Sequence, residues 1–211
     1  RMLAAGQAAE QKGIWVIRGD EVVVDNIAFE GARGPNRNGS GIRHEEGALT
    51  VRNCEFRDNE MGILTANKAS LSLVVENSEF SHGVLVTPRI SHLLYAGRIG
   101  RLEVRGSYFH HGRVGHLLKS RARENLIEYN RLTDEAEGQA SYELDFPDGG
   151  QVFLIGNLVR QSVGTENRRM IAFGAEGLQH DDNVLVLAGN TLVDDLPEGG
   201  EFVAVWSPER V

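Results

Sequence analysis

A single cysteine and five prolines in 211 residues set the first limits on this chain. With Cys54 alone no intramolecular disulfide can form, so a disulfide-stapled scaffold is excluded and thiol content does not decide the compartment. Scarce proline excludes stiff polyproline linkers. Aromatic residues make up only 7% of the chain, and 22 Lys and Arg face 30 Asp and Glu, for a formal net charge of −8. That balance argues against a general nucleic-acid binder, whose affinity depends on a broad basic surface. No apolar run approaches the roughly 20 residues of a membrane-spanning helix. The opening Arg1-Met2-Leu3-Ala4-Ala5 has no long apolar stretch behind it, so no export signal is visible. The start reads like the middle of a chain. One domain over 1–211 is expected, with an N-terminal coil or cap missing upstream.

Glycine and branched apolar residues are abundant instead. Gly stands at 25 residues and hydrophobic content at 41%, which favours many tight turns around a packed core. Seven segments share one frame, a branched apolar residue, four intervening positions, then a second apolar residue. They run Val24 to Phe29, Val51 to Phe56, Val75 to Phe80, Val104 to Phe109, Ile127 to Leu132, Leu154 to Val159 and Leu187 to Leu192. Successive first members lie 27, 24, 29, 23, 27 and 33 residues apart. Two places earlier stand Val22, Leu49, Leu73, Leu102, Val152 and Leu185, the alternation of a strand with one buried face; Asn125 breaks it in the fifth segment. Between the paired positions sit Asn26, Asn53, Asn77 and Gly106, then Tyr129-Asn130, Gly156-Asn157 and Gly189-Asn190. Asn and Gly tolerate the left-handed backbone of a sharp corner, and stacked Asn side chains can hydrogen-bond along a column. Another strand precedes each frame, as in Gly41-Ile42-Arg43-His44 and Gly115-His116-Leu117-Leu118-Lys119.

No coil of this size buries its apolar residues alone, whereas a stack buries a continuous column. The repeat therefore predicts an all-β, single-stranded right-handed parallel β-helix of about seven coils. An antiparallel β-sandwich is the main competitor. Loops of variable length, Gly31 to Ser40, Gly83 to Ile90 and Ala175 to Asp182, are expected on one face.

Charge is uneven. Between Arg89 and Arg131 nine Lys and Arg meet three acids, a window of +6 in a protein of −8, and four of the seven histidines lie there. Such a stripe suits an anionic ligand, or it is a solvated face paired with neighbouring coils. Ser91-His92-Leu93-Leu94-Tyr95 and Gly115-His116-Leu117-Leu118-Lys119 align at equal offsets, which sets His92 beside His116 and Tyr95 beside Lys119. The next coil brings Glu143 and Asp145 toward the same line. Base, cation and carboxylate types on one sheet are what proton abstraction beside a carboxylate requires. Lys119 would serve as base only with its pKa lowered, and Arg121 is placed to help. The simpler alternatives are packing for Tyr95 and backbone-satisfied interior positions for His92 and His116. His110-His111 straddles a turn, so that only one of the pair is expected to face a given ligand. No phosphate loop, metal-spaced His or Cys cluster, or nucleophile elbow is found, so no metal site is predicted. Asp181-Asp182 and Asp194-Asp195 could hold calcium or simply be solvated loop ends.

The coil pattern resembles the pectate-lyase-like superfamily of right-handed parallel β-helices over nearly the whole chain. The run from His116 to Ala122, Gly106 to His111, Tyr129 to Glu135 and Ser141 to Asp145 is similar to a bacterial group of right-handed β-helix region proteins. Lys119-Ser120 followed by Asn125 and Asn130 also resembles the lysine-serine segment of polysaccharide lyase family 6. That resemblance implies a secreted or periplasmic enzyme cleaving an acidic polysaccharide by β-elimination, with Lys119 as Brønsted base and calcium neutralising the substrate carboxylate. Where the family has an arginine one coil later, this chain has Glu143 and Asp145; where it has calcium-binding carboxylates, Gly112 and Val114 stand. The expected site is Lys119, Arg121 and His116 for catalysis, with His92, Tyr95, Arg98, Glu143 and Asp145 contacting substrate. A non-catalytic carbohydrate-binding or surface structural module is the alternative, and a hydrolase using Glu143 and Asp145 is a third.

Overall fold

In the computed structural model, which describes residues 1–85 and 90–206, the chain forms three parallel sheets and, among the described residues, no helix. One sheet has seven strands of five residues: Glu21–Asp25, Ala48–Arg52, Ser72–Glu76, Arg101–Arg105, Glu124–Glu128, Gln151–Ile155 and Val184–Ala188. Its register sets Val24, Val51, Val75, Val104, Ile127, Leu154 and Leu187 in one row. Those are the seven first members of the repeat frame. Every ladder between strands is parallel, which excludes the antiparallel sandwich.

The second members form the matching row of an eight-stranded sheet of short strands, from Met2–Leu3 to Thr191–Asp194. Phe29, Phe56, Phe80 and Phe109 stack in register there, with ring centroids 5.1, 4.6 and 4.6 Å apart and nearly parallel planes. Leu132, Val159 and Leu192 continue the row. The third sheet, also of eight strands, is built from Gly13–Ile17, Ser40–His44, Met61–Thr65, Leu94–Ala96, Leu118–Ser120, Leu144–Phe146, Arg169–Phe173 and Glu201–Val205. A coil runs from this third sheet through the seven-stranded sheet to the short-stranded one, then returns by a loop of variable length.

The corner between the seven-stranded and short-stranded sheets shows how sequence becomes shape. Asn26, Asn53, Asn77, Gly106, Tyr129, Gly156 and Gly189 all adopt positive φ, from 45° to 65°. The following residue points inward and builds a hydrogen-bond ladder. Cys54 N donates to Ser78 Oγ, Ser78 N to Ser107 Oγ, Ser107 N to Asn130 Oδ1, Asn130 N to Asn157 Oδ1 and Asn157 N to Asn190 Oδ1. Asn26, Asn53 and Asn77 supply the turn, whereas Asn130, Asn157 and Asn190 supply the ladder, so one residue type serves two neighbouring roles. Asn125, which interrupts the apolar row, is buried and satisfied: its Oδ1 accepts from Ser120 Oγ at 2.5 Å and its Nδ2 donates to Ala122 O at 3.0 Å.

Tyr129 is the one corner residue that is neither Asn nor Gly, and it is 68% exposed. A left-handed backbone costs a side-chain-bearing residue about 1–2 kcal/mol, and Asn relieves part of that. Tyr129→Asn is expected to raise stability by roughly 0.5–1 kcal/mol, read as a higher urea midpoint at unchanged m value. A lower midpoint would mean that the ring's contact over Gly156 outweighs the corner strain.

Candidate functional site

Outward-facing residues of the third sheet collect the chemistry. Tyr95, Lys119 and Asp145 lie in register on adjacent strands. Beside them His92, His116 and Tyr142 stack along the same direction, with ring centroids 4.6 Å apart for His92–His116 and 4.8 Å for His116–Tyr142. Backbone amides of successive coils orient both histidines. His92 Nδ1 accepts from His116 N at 3.0 Å, and His116 Nδ1 accepts from Tyr142 N at 3.3 Å. With Nδ1 accepting, a neutral ring carries its proton on Nε2, and His116 Nε2 then faces Asp145 Oδ2 at 3.2 Å. Burial, followed by the neighbouring positive charges, keeps His92 well below the ordinary histidine range.

Lys119 Nζ lies 2.9 Å from Asp145 Oδ2 and 2.9 Å from Glu176 Oε1. Burial works to lower its pKa, but the two carboxylates outweigh burial and raise it. Asp145 shows the converse: burial pushes it up, while His116 and Lys119 hold it below the usual carboxylate value. Arg121 donates through Nε to Tyr95 Oη at 2.8 Å, and its two terminal nitrogens contact Asp148 and Glu176. Arg98 Nε donates to the other oxygen of Asp148 at 2.7 Å. Three cations thus meet three carboxylates. Lys119 is held protonated here, contrary to the lowered pKa that a lysine base requires, and Arg121 is occupied by acids instead of depressing its neighbour.

Two members of this cluster, Asp148 and Glu176, are absent from the sequence-derived set. Asp148 follows Asp145 at the next corner. Glu176 rides on the insertion that makes the last repeat interval 33 residues, and that loop is anchored by Glu176 N to Pro147 O, Gln179 N to Asp148 O and His180 Nε2 against Arg121 O. Glu143 must be moved. Alternation would put it on the same face as Asp145, but the chain bends before the strand Leu144–Phe146, and Glu143 turns into the interior between Leu117 and Met170. Both of its carboxyl oxygens lack a hydrogen-bond partner among the described residues. The hydrolase reading, which needs Glu143 and Asp145 on one groove, falls with it. Arg89, the first cation of the basic stripe, lies outside the described residues.

Calcium does not fit this face. It takes six to eight oxygen ligands, whereas Asp145, Asp148 and Glu176 are each engaged by cations, and Gly112 and Val114 offer no carboxylate. Three of the four loop acids are engaged too: Asp194 accepts from Leu196 N and Gly200 N, Asp195 pairs with Arg160, and Asp182 lies 3.5 Å from Arg123.

No family model, no curated protein and no solved structure matches the chain. The parallel β-solenoid therefore rests on the register itself, and the resemblance to lyases has no support beyond the shared fold type. No helix among the described residues is long and apolar enough to cross a membrane.

Proposed function

We propose that this is a carbohydrate-active β-helix, exported from the cell, that receives a carboxylate of an acidic polysaccharide on Lys119 and Arg121. The observation that carries this reading is the Glu176 bridge, one carboxylate held by both cations at once. Its side chain is half exposed and comes from an inserted loop, so an external carboxylate has an approach that Asp145 and Asp148, both buried, do not offer. Lifting Glu176 away leaves three cations against two carboxylates, a surplus of one positive charge for one incoming anion. A sugar ring attached to that anion would lie against Tyr95, whose ring centroid is 5.3 Å from that of His92 with the two planes nearly perpendicular. Apolar faces with a few placed charges are the usual make-up of such sites.

Binding without turnover fits the resting charges best, because a lysine held protonated recognises a carboxylate and abstracts no proton. β-Elimination is the second reading, supported by the Tyr95 hydroxyl and the His116–Asp145 pair beside Lys119. Calorimetric titration with alginate, pectate and glycosaminoglycan oligosaccharides separates the two when ultraviolet absorbance is followed for unsaturated products. Loss of one charge-assisted contact costs about 1.5–3 kcal/mol, so Arg121→Ala is expected to weaken binding at least tenfold. Glu176→Gln removes the internal competitor and is expected to tighten it several-fold. Absence of saturable binding to all three polymers, or indifference to both substitutions, overturns the proposal.

A further inference from the structure

A second cluster lies on another corner of the solenoid, where the short-stranded sheet turns toward its return loop. Strands ending at Glu30, Arg57, Ser81 and His110 are in register. The next residues, Gly31, Asp58, His82 and His111, all take positive φ. Parallel stacking thereby sets His82 directly beneath His111, with rings 4.7 Å apart and 5° from parallel. His110, last in its strand, turns back toward the pair, and its Nδ1 faces His111 Nδ1. So both members of the dipeptide converge on one point, where a simple turn would aim only one of them there. The signal was invisible as spacing, because His82 and His110 are 28 positions apart and only the coil length joins them.

From this geometry we infer that His82, His110 and His111 form a binding site for a divalent transition-metal ion of the zinc class. One donor nitrogen from each lies within 4.8 Å of the others. Zinc with imidazole bonds near 2.0–2.1 Å draws such nitrogens to about 3.4 Å apart, within the reach of small ring rotations. His82 Nδ1 is buried and has no hydrogen-bond partner among the described residues, a polar atom with nothing to satisfy it. His110 Nε2 faces Glu79 Oε1 at 3.1 Å, which leaves Nδ1 directed at the cluster. A carboxylate behind a ligating histidine is the usual outer support of such a site. Beside His82 and His111 opens a cavity of about 330 Å³, also lined by Asp58, Arg113 and Glu137. Asp58 is engaged by Arg33, so the fourth position of the ion is left to water or a small anionic ligand in that cavity. Three histidines with one open position suit imidazole-preferring metals and exclude calcium and magnesium, which want oxygen.

The test is titration of the metal-stripped protein with Zn²⁺ and, separately, Co²⁺. The expected result is one ion per chain with micromolar or tighter affinity, and visible absorption bands of tetrahedral Co²⁺. His82→Asn and His111→Asn keep a residue that tolerates the left-handed corner, so the coil is retained, and each is expected to weaken binding at least 100-fold. Glu79→Gln removes only the outer support and is expected to weaken it about tenfold. Circular dichroism of each variant separates loss of ligand from loss of fold. Failure of the parent protein to bind either ion, or one-to-one binding that survives both histidine substitutions in folded protein, overturns the site. Neither outcome touches the Lys119–Arg121 proposal, whose residues lie on a different sheet.

Discussion

Phe80→Ala is expected to divide the solenoid into two unfolding units. Phe80 is fully buried, with Phe56 and Phe109 stacked on its two faces at 4.6 Å. Its ring also fills the space below Gly62, where an added Cβ would come within 2.8 Å of Phe80 Cδ1. Truncating a buried phenylalanine costs about 3–5 kcal/mol, from lost transfer energy plus the cavity left behind. Each stacked ring pair adds about 1 kcal/mol beyond its buried area. In a globular core the loss would spread over the whole molecule. In a solenoid each coil touches only its neighbours, so the deficit concentrates at one interface. The coils on the Trp15 side should then melt well before those on the Trp206 side. The two tryptophans of the chain, near its opposite ends, make this measurable. In Trp15→Phe and Trp206→Phe backgrounds, fluorescence of the remaining indole reports each end separately. Coincident transitions are expected in the parent and separated ones, by roughly 10 °C, in the variant. Phe80→Leu should cost less than half as much, because Leu132 already occupies the same row. Coincident transitions in Phe80→Ala would show that the coils are coupled beyond nearest neighbours.

The contrast between what could and could not be read from sequence has one physical cause. Seven apolar pairs at matching offsets predicted the register residue by residue, because a parallel stack repeats the same inward position in every coil. The same rule correctly set His92 beside His116 and Tyr95 beside Lys119. It failed where the backbone leaves the strand. Glu143 precedes its strand by one residue, and a bend there reverses the inside-outside alternation that put it beside Asp145. Glu176 sits on an insertion whose length was visible in the 33-residue interval, although the place where its tip folds back was not. His82 was hidden for the opposite reason. Its partners are close only after stacking, and a search for metal-ligand spacing along the chain passes over ligands one coil apart. Lys119 and Arg121 were found as positions, and Asp145 as a neighbour of Lys119, while the ion pairs that Glu176 makes with both cations and Asp148 makes with Arg121 could not be placed by alternation. Position along a solenoid is a property of the repeat, whereas electrostatics belongs to the loops that depart from it.

Glu143 itself gives the other large effect, one in the stabilising direction. Its carboxyl is fully buried, without a partner among the described residues, one place before the strand position that pairs with Leu118 and Ile171. Burial first, and then the nearby acids Asp134 and Asp194, push its pKa well above the ordinary glutamate value. Asp134, also buried, is pushed up to about 7 against the amide bonds from Ala140 and Gly112. A carboxyl raised in the folded state is protonated there over a pH range in which the unfolded chain has already released its proton. Stability is therefore highest below the unfolded value and falls as pH rises through the window up to the folded pKa. Replacing Glu143 by methionine keeps an unbranched side chain of similar reach and removes the unsatisfied oxygens. Such a buried group costs about 1–3 kcal/mol, and removing it in favour of an apolar one releases that cost. Glu143→Met is expected to raise stability by that amount at pH 5, and by more at pH 8, where the parent has lost further stability. Urea unfolding of parent and variant at the two pH values measures both effects, because the other titrating groups, the raised Asp134 and the lowered His92 among them, are common to both proteins and cancel in the difference. A variant less stable than the parent at both pH values would mean that the Glu143 carboxyl has a polar partner in solution. The interior of this coil would then hold an ordered water or a ligand of its own.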